Sequence, residues 1–306
     1  MNNNIKRILF LSLSLAILLT GCASNKKGII AVVNGEEITI EEYNKELEIY
    51  KAFFVHQNVK EFLYEEVEPG KTYESKLKRD VLDKLILEKI IEQDFIKSGL
   101  VITDDELAEY IDEMIGDVKE EFIEVIDEIG VSWQEIERLE KNELMINKHK
   151  AHYFETIEIE EKLIDDYYRN YKDMLIKYRI SEIFLEDEQK AFEVLNRIKN
   201  GESFEKVAEI ESENSISAIH GGDIGFVRGG INPFFDDYIK KLEIGEISDV
   251  IKAPNGYYII KLTDKLETLE ELREDIVQEL KKESYIAYVT MLKDESKIKD
   301  YYDYFN

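Results

Sequence analysis

Residues 221–226 read Gly-Gly-Asp-Ile-Gly-Phe, and this glycine-dense turn lies at the centre of the second half of the chain. Before it, the β-rich alternation at residues 178–185 predicts a strand. After it, residues 247–251 and 257–262 predict two strands joined by a Pro-Asn-Gly turn. Helices are predicted between the strands, at residues 191–199, 203–211 and 234–242. The order β-α-α-β-α-β-β predicts a compact α+β unit.

The first half of the chain predicts a helical domain. An apolar run followed by Asn34-Gly35 and a short extended piece predicts a hairpin at the start of this half. Capping boxes then open helices at Thr39, Thr103 and Ser132, each with a glutamate three residues later. Apolar residues at helical spacing predict further helices at 81–97 and 160–172.

A long C-terminal helix follows the α+β unit. A fourth capping box opens it at Thr268, and it is predicted to continue to about Lys293. Its apolar stripe consists of Leu272, Ile276, Leu280 and Ile286. The α+β unit is small, so we expect this stripe to pack back on the first half. The predicted fold class is therefore α+β and mostly helical, with the α+β unit inserted into the helical domain.

Composition and charge limit the function classes. The 306 residues are 44% hydrophobic, which is enough for real cores and argues against wholesale disorder. Forty Lys and Arg against 67 Asp and Glu give a formal net charge of −27, which repels phosphate backbones, so we predict no nucleic-acid binding. One cysteine permits neither an intramolecular disulfide nor a thiolate metal cage. His149 and His152 lack a third ligand at fixed spacing, so no metal site is predicted.

The N-terminus has the three parts of a bacterial lipoprotein signal. Lys6 and Arg7 form a positively charged start, and residues 8–19 are an apolar run that is shorter than the ~20 residues needed to span a bilayer. The run closes with Leu-Thr-Gly-Cys, which resembles the lipobox of bacterial lipoproteins. The resemblance implies removal of residues 1–21 as a signal peptide, lipid attachment to Cys22, and a tether over residues 22–28. We therefore expect the protein to be extracytoplasmic and to be anchored to the cell membrane by the lipid on Cys22.

Two sets of motifs resemble the PrsA-type extracytoplasmic foldase lipoproteins. Val-Asn-Gly at residues 33–35 with Tyr43 is similar to the start of their helical chaperone domain, which SurA-type periplasmic chaperones share. The Gly-Gly-Asp-Ile-Gly-Phe turn and Phe235 are similar to parts of a parvulin-type peptidyl-prolyl isomerase domain. The resemblance implies a chaperone domain at 29–172 plus 266–306. It also implies an inserted parvulin-like domain with a four-stranded antiparallel sheet at 173–265.

The resemblance also assigns active-site positions. The phenylalanine that grips the proline would be Phe235, with Ile231 as a second apolar wall. The family's two histidines fall on Glu182, in the opening strand, and on Tyr258, in the last strand. Its Asp or Cys before the turn falls on Ser215. Either Glu182 and Tyr258 hydrogen-bond across the sheet in place of the histidines, or the polar network is lost, and the resemblance leaves open whether isomerase activity survives.

Prolyl isomerisation needs no metal or cofactor, and we predict none. Rotation about the amide costs ~18–20 kcal/mol because the twisted state loses C–N resonance. An apolar slot that removes water from the amide, together with polar groups near its carbonyl or nitrogen, lowers this barrier. Asp223 is more simply explained as an acceptor for backbone amides in its own turn than as a catalytic group.

The resulting function hypothesis is a membrane-anchored foldase. It would hold unfolded or partly folded secreted polypeptides and isomerise their prolyl bonds, and the resemblance leaves a homodimer open. One alternative is a non-catalytic holdase with a degenerate parvulin domain. The other is a solute-binding lipoprotein, which would need repeated βα units that this sequence lacks.

Overall fold

The computed structural model describes residues 28–56, 60–229 and 233–305, which fall into two units. The first unit contains the chain up to Thr156 together with the segment from Tyr285 onwards, and the second contains Ile157–Ser284. The signal peptide, most of the tether with Cys22, and Ile231 lie outside the described residues.

The first unit is mainly helical. It begins with strands β1 (Ile29–Val33) and β2 (Glu36–Thr39) and helix α1 (Ile40–His56). A 3₁₀ turn (Lys60–Tyr64) and a hairpin of β3 (Glu66–Glu68) and β4 (Lys71–Thr72) lead to the long helix α2 (Tyr73–Lys97). Helices α3 (Asp104–Ile115), α4 (Lys119–Glu128) and α5 (Trp133–Thr156) follow, with a short 3₁₀ turn (Gly116–Val118) between α3 and α4.

The second unit surrounds one sheet. Its elements are α6 (Glu161–Leu175), β5 (Lys177–Leu185), α7 (Glu188–Lys199), α8 (Phe204–Glu211), α9 (Ser215–Ala218), β6 (Asp223–Arg228), α10 (Pro233–Ile239), β7 (Ile251–Ala253) and β8 (Gly256–Leu266). Helix α11 (Leu269–Glu295) begins in this unit and ends in the first, followed by β9 (Ile298–Asp300) and α12 (Tyr302–Phe305). The strands form an antiparallel sheet in the order β6-β5-β8-β7, so the predicted four-stranded sheet is confirmed.

Local signals in the sequence set the start of several helices. In each of the four predicted capping boxes, the glutamate carboxylate accepts the backbone N–H of the Ser or Thr. The Ser or Thr hydroxyl in turn accepts the N–H of the glutamate, at Thr39–Glu42, Thr103–Glu106, Ser132–Glu135 and Thr268–Glu271. The first hairpin turns at Asn34 and Gly35 with φ of 53° and 98°, as a tight two-residue turn requires.

One predicted strand is misplaced. Residues 247–251 do not form a strand; Ile247 makes only an isolated bridge with Lys261, and β7 begins at Ile251. The reason is Ser248, because its hydroxyl accepts the backbone N–H of Ile260 at 2.9 Å while its own N–H donates to the Ile260 carbonyl at 2.8 Å. A side chain thus takes the place of a ladder hydrogen bond.

Helix α11 packs differently along its length. Leu272 and Ile276 are fully buried against Ile164 and Leu175 of α6, within the second unit. Its later residues Tyr285 and Leu292 belong to the first unit. The prediction that Ile286 is part of the buried stripe is wrong, because Ile286 is 66% exposed. Helix α6 and the first part of α11 therefore group with the sheet, although residues 160–172 and 268–284 are predicted to belong to the helical domain. The boundaries of independently folding domains, at 172 and 265, stay a prediction.

A buried carboxylate links three helices of the first unit. The Glu46 side chain on α1 is fully buried, and its two oxygens accept hydrogen bonds from Lys84 Nζ on α2 at 2.8 Å and Arg138 on α5 at 2.5 Å. Lys84 also donates a hydrogen bond to Glu88. Burial raises the pKa of Glu88, and the nearby Lys84 ammonium offsets part of that rise. We name Glu46, Lys84, Glu88 and Arg138 the buried ion network.

His149 is a buried core residue of the first unit. Its ring nitrogens lie 2.9 Å from the Tyr285 hydroxyl and 3.1 Å from the Asp94 carboxylate. Burial would raise the pKa of Asp94, but hydrogen bonds from Tyr288 and His149 lower it overall.

Among the described residues, no helix is both long and apolar enough to cross a bilayer.

Candidate active site

Strands β5 and β8 carry Glu182 and Tyr258, the two positions on which the histidines of parvulin-type domains fall by resemblance. In their antiparallel register, Glu182 lies opposite Ile260, and Phe184 lies opposite Tyr258. Residues that face each other across a pair of strands project from the same side of the sheet, and so do residues two apart along a strand. Glu182 and Tyr258 therefore share one face, which agrees with the expectation from strand alternation.

The Glu182 carboxylate is held by two donors. Its Oε1 accepts from Asn214 Nδ2 at 2.7 Å and from the Ser217 hydroxyl at 3.1 Å. Ser217 is 3% exposed, and Asn214 caps helix α9 by accepting the N–H of Ile216 at 3.2 Å. Asn214 and Ser217 thus hold the Glu182 carboxylate in place, and neither is among the site residues predicted from the sequence. An Asn before a short helix with a Ser three residues later is the signal that points to them, because that spacing places both on one side of a helical turn.

Tyr258 and Glu182 bond different partners. The Tyr258 hydroxyl accepts a hydrogen bond from Asn255 Nδ2 at 2.8 Å, in the turn between β7 and β8. The alternative in which Glu182 and Tyr258 replace a histidine pair by bonding each other is therefore not the arrangement that the structure shows. Each polar group has its own local support instead.

The apolar part of the site is a cluster of three aromatic rings. The ring centroid of Tyr258 lies 4.9 Å from that of Phe184 and 5.0 Å from that of Phe235, the latter pair edge-on at 69°. Phe235 is half-buried on α10, and it packs against the core cluster that contains Ile239 and Ile260. We name Phe184, Phe235 and Tyr258 the aromatic wall. Phe184 and Tyr258 of the wall lie on the face of the sheet that carries Glu182.

The glycine-dense turn locks against strand β5 at Glu182. The Gly222 carbonyl accepts the Glu182 N–H at 2.8 Å, and Gly222 has φ of +85°. A Cβ on Gly222 would lie 2.4 Å from the Glu182 carbonyl oxygen, so only glycine fits this contact. Asp223 accepts the N–H of Gly225 at 3.0 Å and pairs with Arg179, whose guanidinium holds the pKa of Asp223 below its usual value. Asp223 thus accepts a backbone amide within its own turn.

Ser215 stands apart from these contacts. Ser215 is exposed at the first position of α9. The serine that bonds Glu182 is Ser217, two residues further along the helix. The part of Ser215 in catalysis stays a prediction.

A cavity of about 360 Å³ in the same unit is lined by Ser181 and Thr263 and lies on the opposite side of β5 from Glu182, so it is not the candidate site.

Comparison with known proteins follows the two-unit division. A family described as "PPIC-type PPIASE domain" matches residues 169–266, and one described as "SurA-like N-terminal domain" matches residues 4–126. "Foldase protein PrsA" of Geobacillus sp. (strain WCH70) is 33% identical over 225 residues, which cover 72% of this chain and 77% of the relative. The chain belongs to the PrsA foldase family.

Other PrsA-family members are similar over comparable lengths. "Foldase protein PrsA" of Caldanaerobacter subterraneus is 28% identical over 263 residues, covering 84% of this chain and 81% of the relative. A crystal structure of a peptidylprolyl isomerase (PrsA) from Bacillus anthracis aligns with a TM-score of 0.33 and 28% identity, covering 69% of this chain and 93% of that one.

The site of this PrsA-family chain combines an apolar surface with one fixed carboxylate. Among residues 28–56, 60–229 and 233–305, no group of three or more His, Cys, Asp and Glu side chains is arranged to hold a metal ion. The groups available for chemistry are the aromatic wall, the Glu182 carboxylate and the hydroxyls of Ser217 and Tyr258.

Proposed function

We propose that this chain is an extracytoplasmic foldase that binds unfolded polypeptides and isomerises their prolyl bonds at the face carrying Glu182 and the aromatic wall. The observation that carries the proposal is the half-buried Phe235 ring, edge-on to Tyr258, on the same sheet as a carboxylate fixed by Asn214 and Ser217. Membership of the PrsA family supports it. Unaided prolyl isomerisation takes tens to hundreds of seconds, so a catalyst shortens the folding of secreted chains.

The aromatic wall would act by removing water. Hydration stabilises the planar, charge-separated amide more than the twisted amide, which has lost its C–N resonance. A proline ring seated on Phe235 brings its amide against apolar surface, and this desolvation raises the energy of the planar form relative to the twisted one. Every 1.36 kcal/mol removed from the barrier multiplies the rate about tenfold.

Glu182 would act on the carbonyl oxygen of the same amide. Resonance in the planar amide places partial negative charge on this oxygen and double-bond character on the C–N bond. A carboxylate nearby disfavours that charge distribution and so favours the single-bonded, rotatable form. Asn214 and Ser217 keep the carboxylate in place without neutralising it, because both are uncharged donors.

Replacing Phe235 by alanine is expected to lower kcat/KM for a prolyl tetrapeptide at least about tenfold, because the apolar support of the twisted amide is lost. Exchange NMR on the peptide measures the isomerisation rate directly, without a coupling protease. Phe226→Ala is the matched control, since Phe226 is 42% exposed on β6 and lies outside the aromatic wall. This control is expected to retain the rate of the unmodified protein.

Glu182→Gln tests the electrostatic part of the mechanism. The amide oxygen keeps the shape and can still accept from Asn214 and Ser217, but the charge is gone, so we expect a rate several-fold lower with KM little changed. If the unmodified protein at high concentration isomerises the peptide no faster than buffer does, the enzymatic proposal is contradicted and the non-catalytic holdase is left. The lack of a bonded Glu182–Tyr258 pair favours the holdase as the alternative.

The solute-binding alternative does not fit, because the second unit has an antiparallel sheet rather than repeated βα units.

We also propose that Cys22 carries the lipid that holds the protein on the outer face of the cell membrane. The support is the charged start, the short apolar run and the Leu-Thr-Gly-Cys motif of the sequence. In bacteria fed labelled palmitate, the protein is expected to take up label and partition into detergent, while Cys22→Ala accumulates as an unlabelled precursor. Equal labelling of both forms would contradict lipid attachment at Cys22.

A further inference from the structure

The first unit contains a large groove on the exposed side of helix α1. It has a volume of about 1250 Å³ and is bounded by α1, the 3₁₀ turn ending at Tyr64, and the loop between α4 and α5. Along α1, residues 41, 44, 45, 48 and 52 line it at helical spacing, so one face of this helix forms a wall. We call this cavity the α1 groove.

The floor of the α1 groove is apolar because two core clusters meet there. Leu63 belongs to the cluster that packs around the three-stranded sheet, and Ile49 and Val131 belong to the cluster between α1, α4 and α5. These side chains are mostly buried, while Tyr64 stands 62% exposed at the margin. The groove thus offers apolar surface and an aromatic face at its opening.

The rim of the α1 groove is negatively charged. Its lining includes five carboxylates but only two ammonium groups, Lys45 and Lys51. Lys45 lies 3.2 Å from Glu41, and Lys51 lies 3.3 Å from Glu48 and 3.0 Å from Glu74, so both ammonium groups are already paired. The remaining excess of negative charge lies within a chain whose formal net charge is −27. A cationic occupant is therefore favoured over an anionic one.

We propose that the α1 groove binds an unfolded polypeptide segment that has large apolar side chains flanked by Lys or Arg. The inference rests on the proposed chaperone function and names the segment that the first unit takes. The groove exceeds the ~300–1,000 Å³ typical of small-molecule pockets, so it has room for several residues of a chain. Apolar side chains would cover the floor, the flanking cations would pair with the rim carboxylates, and the Tyr64 ring offers a face to one of them.

The test is fluorescence anisotropy with the full mature chain and a labelled peptide of about ten residues, Leu-Phe-Leu at its centre and two Lys at each end. We expect this peptide to bind and its affinity to fall with added salt. Peptides with Glu in place of Lys, or with Ser-Ser-Ser at the centre, are expected to bind at least about tenfold more weakly. If all three peptides bind alike, the inference is overturned.

Two variants place the binding in the groove. Glu41→Gln with Glu48→Gln removes two rim charges, which takes Glu41 away from Lys45 and leaves Lys51 paired with Glu74. The rim then attracts a cationic peptide less strongly, so a loss of about tenfold is expected. Asn44→Trp fills the groove from an exposed position of α1 and is expected to abolish binding. Glu109→Gln with Glu113→Gln is the matched control, an equal change of charge on exposed positions of α3 that do not line the groove.

The same samples separate this inference from the proposed function. Suppression of client aggregation and peptidyl-prolyl isomerisation are measured alongside peptide binding. If the groove variants bind peptide normally, the inference fails while the foldase function stands. If they instead convert a dimer to a monomer with peptide affinity unchanged, the groove is an interface between copies of this chain and the inference is likewise overturned. Failure of the unmodified protein in all three measurements would overturn the proposed function as well.

Discussion

Replacing Glu46 by alanine is expected to destabilise the first unit by about 3 kcal/mol. The substitution removes one of the two carboxylates of the buried ion network, so Arg138 loses its bond to Glu46 while Lys84 retains its bond to Glu88. Breaking a buried pair by deleting one partner costs ~3–5 kcal/mol. The lower end applies here because the Lys84 and Arg138 side chains are 34% and 41% exposed and water can partly replace the lost contacts. The network joins α1, α2 and α5, so the loss affects the packing of all three helices.

The single tryptophan makes this measurement specific. Trp133 is at the start of α5 and packs into the cluster beside α1 and α4, so its fluorescence follows unfolding of the first unit. Urea titration of Glu46→Ala is expected to move this transition to lower denaturant with little change in its slope. Glu48→Ala, on the same helix but 71% exposed, is expected to change the free energy of unfolding by less than about 0.5 kcal/mol. Equal shifts for the two variants would contradict a special role for the network.

Replacing Gly222 by alanine is expected to destabilise the second unit by about 2–5 kcal/mol and to abolish isomerisation. Part of the cost is the positive φ of +85°, which a residue with a Cβ adopts at ~1–2 kcal/mol. The rest is overlap, because the new Cβ would lie 2.4 Å from the Glu182 carbonyl oxygen and 3.2 Å from the Ala208 Cβ. Strand β5 must move to relieve it, and Glu182 moves with β5. Stability and the site are therefore lost together.

Gly225→Ala is the matched control for that prediction. Gly225 has a similar φ of +76°, but a Cβ there meets nothing within 4 Å. Its cost should be the backbone strain alone, ~1–2 kcal/mol. Hydrogen exchange at the Glu182 amide, which donates to the Gly222 carbonyl, is expected to accelerate far more in Gly222→Ala than in Gly225→Ala. Similar exchange rates in the two variants would show that the contact with β5 carries no energy.

Short-range patterns were sufficient for much of the architecture. The four capping boxes, the Asn-Gly hairpin and the alternating strand at β5 were all predicted, because each is decided by residues a few positions apart. The shared face of Glu182 and Tyr258 also follows from strand periodicity. Predictions failed where a distant partner decides the outcome, as at Ser248, whose hydroxyl displaces a strand pairing by bonding the backbone of Ile260.

Long-range pairing was visible only in the folded chain. Strand β9 completes the first sheet by pairing with β1, more than two hundred residues earlier in the sequence. The three residues of β9 have an unremarkable composition, so the sequence carries no signal for this pairing. Asn214 and Ser217 reach Glu182 because the segment before them is bonded to β5, with the Glu213 N–H donating to the Phe184 carbonyl and the Phe184 N–H donating to the Ser212 hydroxyl. The α1 groove exists because two core clusters meet beside one helix. Local sequence encodes the conformation of each segment, whereas the partner of a side chain depends on which segments the burial of apolar surface brings together.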